Sequence, residues 1–230
     1  MKCCLILVFC CVAAFSKAHA QAEEALVKAV RAKLDKVQDY EAQGRMTIDV
    51  SFIQAPPSDV RVYYKKPNLF KVKKEDGISI LPKGGVGINM SSILSAQQFT
   101  IVPAGSAVVA GSPTKVVKLL PQDDASDIIL MTLYIDEKAA LIKKSKVTTR
   151  ESGSYEIDLT YGKYAAWGLP DKTVFSFNAK AYKLPKGLTF EYEKSGRPAP
   201  TAPKNSNGTI GIVYTNYKIN RGLSAAAFAK

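Results

Sequence analysis

The sequence predicts a mainly β fold of the α+β class, antiparallel and strand-dominated, with its helices segregated onto one face of the sheet. Three observations carry that prediction. Runs of alternating apolar and polar residues recur from Tyr40 to Tyr214, separated by turns rich in Pro, Gly and Asn. Strong helical periodicity is confined to one stretch near the start, with a weaker signal in mid-chain. Helices so placed do not alternate with strands as a parallel sheet requires, so they gather on one face of an antiparallel one.

Residues 1–20 read as a cleaved secretory leader. Met1-Lys2 is a basic start, Cys3 to Phe15 is apolar, and Ala18-His19-Ala20 is a small-x-small cleavage signal. The apolar run is shorter than the ~20 residues of a membrane span. Cleavage after Ala20 would remove all four cysteines (Cys3, Cys4, Cys10, Cys11) and the single histidine, His19. The remainder, residues 21–230, is expected to be one domain in the periplasm. It would have no disulfide, no thiolate or imidazole metal site, and no Ser-His or Cys-His catalysis. The whole chain carries a formal charge of +12, and losing Lys2 and Lys17 leaves it strongly basic. Such a surface can meet anionic headgroups, or its lysines can simply solvate one face of a sheet. Nucleic acid is not expected, because no aromatic-basic recognition motif is present.

Ala22 to Asp39 has the spacing of an amphipathic helix, with Leu26, Ala29, Val30, Leu34 and Val37 on one stripe. A long strand follows over Tyr40 to Ile53, with Met46, Ile48, Val50 and Phe52 on one face. Pro56-Pro57-Ser58 is expected to end it. A three-stranded meander over Val60 to Leu81 comes next. It places Val62, Tyr64, Phe70, Val72 and Ile80 on its apolar side, and Lys65, Lys71 and Lys73 on its wet side. Pro67-Asn68 and Asp76-Gly77 supply its turns. Val86 to Asn89 is expected to pair back. Ser91 to Phe99 is a short helix capped by Ser91 or Ser92. Thr100 to Pro113, rich in small residues, reads as a covering loop with one strand near Ala107–Ala110.

From Thr114 the strand rhythm returns. Val116 to Leu120 is one run. Ile128 to Asp136, nearly all apolar, is expected to be a central strand covered on both faces, with Leu133 and Ile135 in the core. Ala139 to Arg150, Ser154 to Tyr161 (with Leu159 inward), Thr173 to Phe177, Leu188 to Tyr192 and Ile210 to Tyr214 complete the set. Ser195 to Gly208 is a Pro/Asn-rich excursion. Leu223 to Lys230 is Ala-rich and suits a short terminal helix.

Catalytic signals are weak. Ser112-x-x-Lys115 has the spacing of a lysine-activated serine, but it precedes a strand and lacks the Ser-Asp-Asn and Lys-Thr-Gly partners. Asp123, Asp124, Asp127, Glu75 and Asp76 fall where turns want Asp. Trp167 suits either the rim of a ligand mouth or a barrel corner. What remains is shape: an apolar sheet face under a helix, forming either a packed core or a pocket.

The order of elements resembles the LolA-like family of periplasmic outer-membrane lipoprotein carriers. The similarity rests on Lys66-Pro67-Asn68-Leu69-Phe70, on Asp76-Gly77 before Leu81-Pro82, and on Leu133-Tyr134-Ile135-Asp136 followed by Leu141-Ile142. Asp171 to Phe177, and Tyr217-Lys218-Ile219-Asn220 with Gly222, add to it. The resemblance implies an unclosed antiparallel half-barrel with a helical lid on its concave face, and a soluble, monomeric, non-enzymatic carrier that needs no cofactor. Its apolar cavity would hold acyl chains of lipoproteins, or another lipid, between inner- and outer-membrane lipoprotein-sorting proteins. Met46, Ile48, Val50, Phe52, Val62, Tyr64, Phe70, Val72, Ile80, Leu133, Ile135 and Leu159 would line that cavity. The first helix with Ser91 to Gly111 would be the lid. Lys66 stands where the family often has the arginine that latches the lid, a point charge in place of a planar fork. An interaction or sensor module of the same fold, with a filled core and no lipid cargo, is the alternative.

Overall fold

The computed structural model describes residues 21–50, 53–74, 89–96, 98–151, 153–178 and 207–228. Residues 1–20, Phe52, Glu75 to Val86, the expected Leu188–Tyr192 strand and all but the last residues of the Ser195–Gly208 excursion lie outside them. Helix α1 covers residues 21–35. Ten strands follow: β1 Asp39–Val50, β2 Ile53–Lys65, β3 Leu69–Lys74, β4 Phe99–Val109, β5 Ser112–Pro121, β6 Ile128–Asp136, β7 Leu141–Thr149, β8 Ser154–Thr160, β9 Lys172–Asn178 and β10 Asn207–Ile219. Helix α2, Met90–Ala96, lies between β3 and β4. They form one unclosed sheet in the order β3-β2-β1-β10-β9-β8-β7-β6-β5-β4. Every neighbouring pair is antiparallel. Consecutive strands pair as hairpins, and β1 pairs β10 in the middle, so β3 and β4 are the outermost of the described strands. Crossing from one edge to the other is what takes α2 over the inner face.

Period-two alternation puts one face of each strand inside. Val60, Val62 and Tyr64 of β2, Met131, Leu133 and Ile135 of β6, and Tyr155, Ile157 and Leu159 of β8 are all buried. They join one continuous core with Leu26, Val27, Val30, Leu34 and Val37 around α1, and with Met90, Ile93 and Leu94 of α2. Both helices therefore cover the same face of the sheet.

Four expectations are corrected. Pro56-Pro57 does not end the first strand, because β2 already runs from Ile53. The two prolines sit in a register shift between Met46↔Ser58 and Ile48↔Ala55, beyond the last β2–β3 partner, Val60↔Lys74. A strand accommodates a missing ladder N–H at such a register shift. Thr100 to Pro113 is not a covering loop: Phe99 to Val109 pairs with β5 as an edge strand, bulged between Pro103 and Ser106. Its small exposed side chains carry little periodicity, and β5 supplies the hydrogen bonds. The β4–β5 turn is Ala110-Gly111, both at positive φ, which suits the twist of a two-residue hairpin. β6 is not covered on both faces, since Ile129 is 46% exposed. An open sheet buries one face only. Finally, Asn89 caps α2, not Ser91 or Ser92: its Oδ1 accepts from Ser91 N at 2.9 Å.

The junction of α1 with β1 is held by the far end of the chain. Asn220 Oδ1 accepts from Gln38 N at 2.7 Å, and its Nδ2 donates to Lys36 O at 2.8 Å. The buried Asp39 carboxylate accepts from Arg221 N at 2.9 Å and from Gly222 N at 3.0 Å. Removing it leaves two backbone donors without their acceptor, at about 1–3 kcal/mol each. Asp39→Ala is thus expected to cost about 2–4 kcal/mol, read as a lower urea midpoint at unchanged slope. Asp39→Asn, which keeps one acceptor oxygen, should recover part of the loss.

Candidate functional site

The inner face of the sheet and the underside of α1 form the candidate site. Met46, Val50, Val62, Tyr64, Val72, Leu133, Ile135 and Leu159 are buried in the core, with Ile48 and Phe70 packed against it. Phe52 and Ile80 fall outside the described residues. The structure thus brings the described members of the expected lining into one apolar surface, on strands that are far apart in sequence.

α1 is fastened along its last turns. Lys66 Nζ lies 2.7 Å from Asp35 Oδ1 and 3.1 Å from Asp35 O. Lys33 Nζ donates to Ala139 O, on the β6–β7 turn. Gly168, at φ 67°, lets the turn after the 3-10 segment Ala165–Trp167 approach Leu34, and a Cβ there would stand 3.1 Å from Leu34 Cδ2. Trp167 itself is exposed, while Gly168, Leu169 and Pro170 line the seam beneath Leu34.

At that seam lies a cavity of about 30 Å³, bounded also by Tyr40, Phe70, Leu159, Tyr161 and Tyr214 and by Asn89 and Met90 at the start of α2. It has room for one or two waters. Of the expected lining, only Phe70 and Leu159 reach it. Aromatic rings pack beside it. Tyr40 stacks at 5.3 Å on both Tyr64 and Tyr217, which in turn touches Tyr214 at 5.1 Å and Tyr164 at 4.8 Å. Tyr217 donates to Pro170 O at 2.8 Å. Burial pushes Tyr64 and Tyr214 up to about 12 and raises Tyr40 and Tyr217 well above the ordinary tyrosine value. These phenols stay neutral in the apolar interior.

Tyr214 continues the Ile210-Ile212 alternation, but Tyr217 escapes a sequence reading because β10 breaks its own period. Gln43 pairs Asn216 while Gly44 pairs Tyr214, so Thr215 is an extra residue and Tyr214 and Tyr217 both turn inward. Gly44 makes this possible, since a Cβ there would stand 2.6 Å from Val213 O. Asp35, the partner of Lys66, carries no sequence signal that separates it from any other polar residue of α1.

A second, open groove of about 590 Å³ runs between the N-terminal half of α1 and the start of β4. Val27, Phe99 and Ile101 line it, with Lys28, Arg31 and Glu24 among its polar residues. The catalytic candidates do not assemble. Ser112 and Lys115 lie on a strand and not at a helix start. Asp123 Oδ1 accepts from Ala125 N, and Asp127 Oδ1 from Glu151 N, so these carboxylates bond turn backbone. Among the described residues no group of three His, Cys, Asp or Glu side chains lies close enough to hold a metal ion.

Three solved structures superpose on this chain over nearly its whole length. A DUF1329 family protein from Desulfovibrio piger superposes with a TM-score of 0.54 at 10% identity, over 92% of this chain and 97% of that one. A LolA superfamily protein from Nitrosomonas europaea gives 0.54 at 9% identity, over 89% and 97%. The chain has the LolA-like fold. A domain from Vibrio parahaemolyticus described as an outer membrane lipoprotein-sorting protein gives 0.51 at 13% identity, over 90% and 97%. No family model and no curated protein matches the sequence. At these identities the likeness concerns the LolA-like fold alone, and function rests on the site.

Proposed function

We propose that this chain is a non-enzymatic periplasmic carrier that holds acyl chains, of lipoproteins or of another lipid, between α1 and the inner face of the sheet. It would exchange that cargo with inner- and outer-membrane lipoprotein-sorting proteins. One observation carries the reading: a mostly apolar sheet face is capped by a separate amphipathic helix whose last turn is tied down by an accessible ion pair, Lys66–Asp35, with Asp35 55% exposed. Each CH₂ buried there contributes about 0.8 kcal/mol, so a long chain binds without specific polar contacts. In the closed form the seam holds only about 30 Å³, so cargo enters by displacing α1.

Native mass spectrometry of protein purified from membranes should then show co-bound lipid mass, and the apo form should take up a fluorescent fatty acid. An accessible ion pair contributes about 0.2–1 kcal/mol. Lys66→Ala is accordingly expected to speed uptake by about two- to five-fold, with a similar gain for Asp35→Ala. A clean apo mass, together with no uptake by wild type or either variant, would remove the carrier reading.

A second reading is favoured by the packed tyrosine interior. In it the chain is an interaction or sensor module whose basic convex face, with Lys65, Lys71, Lys73 and Lys143, meets an envelope partner. Strongly salt-dependent capture of that partner without lipid uptake would select this reading.

A further inference from the structure

We infer that the outer edge of β4, which no described strand pairs, is a docking site for an extended segment of a partner protein, in which apolar residues alternate with acidic ones. The inference does not rest on lipid binding.

The two edges of the sheet are built differently. β3 is short, carries Lys71, Lys73 and Lys74, and is packed by the terminal 3-10 turn Ala225–Phe228. Charged side chains and a covering turn are what proteins use to keep an edge from pairing. β4 is 11 residues long, FTIVPAGSAVV, without a single charge. Its outer edge exposes Val102 at 40% and Val108 at 73%. Pro103 and the bulge up to Ser106 interrupt it, with Gly105 at φ 85°, but they protect only its middle. Phe99 to Val102 keeps an uninterrupted edge.

That stretch runs beside the 590 Å³ groove under α1. Phe99 and Ile101 point to the inner face, where Phe99 is buried and Ile101 packs against the core. Thr100 faces the other way and also lines the groove, which places the groove along the edge itself. An added strand would hydrogen-bond the outer backbone of residues 99–102 and direct alternate side chains onto Val27, Phe99 and Ile101, continuing the apolar face by one strand. Lys28 and Arg31 line the groove beside that position, with the Arg31 guanidinium 5.6 Å over the Phe99 ring; Glu24 is the acid in the groove. With the chain at +12 overall, the flanking residues of the guest are acidic. The same charge disfavours a second copy, which would bring two cationic surfaces together. The mixed lining of backbone edge, apolar floor and cationic rim suits a peptide better than a lipid tail.

The test uses a labelled synthetic peptide of alternating valine and glutamate, its valine–lysine counterpart, and two forms of the first peptide N-methylated on one or the other alternate set of amides. Because these changes are made in the peptide, folding of the protein is not at stake. Binding of the valine–glutamate peptide should slow hydrogen exchange at residues 99–102. One methylated form should bind at least tenfold more weakly while the other binds normally, as only one set of amides faces β4. The valine–lysine peptide should bind at least tenfold more weakly. Equal binding by both methylated forms, or no exchange protection at 99–102, would overturn the proposal. So would those amides being protected without peptide in a protein that sediments as a dimer, which assigns the edge to a second copy. Displacement of groove-bound peptide by oleate, with no edge protection, would assign the groove to lipid.

Discussion

Val30→Asp uncouples α1 from the sheet. Val30 is buried at the centre of the helix stripe, facing the core. The substitution removes about 1.5–3 kcal/mol of apolar burial and asks a carboxylate to sit in an apolar seam, which adds several kcal/mol more unless it escapes to water. The helix escapes by lifting, and the opened form becomes the major one. The carrier reading then makes a sharp demand. If wild-type α1 is open about 1% of the time, the apparent affinity for an acyl chain is about 100-fold below its intrinsic value, and the variant recovers much of that. Titration with a fluorescent fatty acid should show at least a tenfold gain. The near-UV tyrosine signal of the sheet should persist. Simultaneous loss of that signal and of all uptake would mean that α1 is an inseparable part of the core, and the carrier mechanism would fail with it.

Alkali should unfold this protein in one cooperative step. Tyr40, Tyr64, Tyr214 and Tyr217 have folded values raised above the ordinary tyrosine value by burial. The sign follows directly. The unfolded chain releases these protons near pH 10 while the folded chain keeps them, so the stability held by the neutral phenols is complete below about pH 10. It is lost as pH rises toward the folded values, about 12 for Tyr64 and Tyr214. Each retained proton removes about 1.4 kcal/mol per pH unit, so the four together approach about 5 kcal/mol per unit. Against a typical stability of about 5–15 kcal/mol, unfolding is expected between about pH 11 and 12. Absorbance at the phenolate band should show the exposed members of the eleven tyrosines titrating first. The buried ones should follow in a steep step that coincides with loss of far-UV circular dichroism. Tyr214→Phe should make that step shallower. Normal titration of every tyrosine near pH 10 with the fold intact would contradict the buried cluster.

Period and turn chemistry determined much of this protein from sequence alone. The stripe of α1, the alternation Tyr155-Ile157-Leu159 in β8, the meander of β2 and β3 around Lys66-Pro67-Asn68 and the open antiparallel class all follow from local rules, because a half-buried strand or helix writes its buried face into its own residues. Other features were decided only in three dimensions. β4 is a strand because β5 lies beside it, not because Phe99 to Val109 alternates. Pro56-Pro57 stays within β2 because the register of β2 against β1 shifts there. Tyr214 and Tyr217 both turn inward because one residue of β10 bulges opposite Gly44. Lys66 meets Asp35 because the β2–β3 turn passes under the last turn of α1. Each of these depends on what a distant segment places next to a residue, and hydrogen-bond partners, free edges and cavity volumes are properties of pairs of segments that no single stretch encodes.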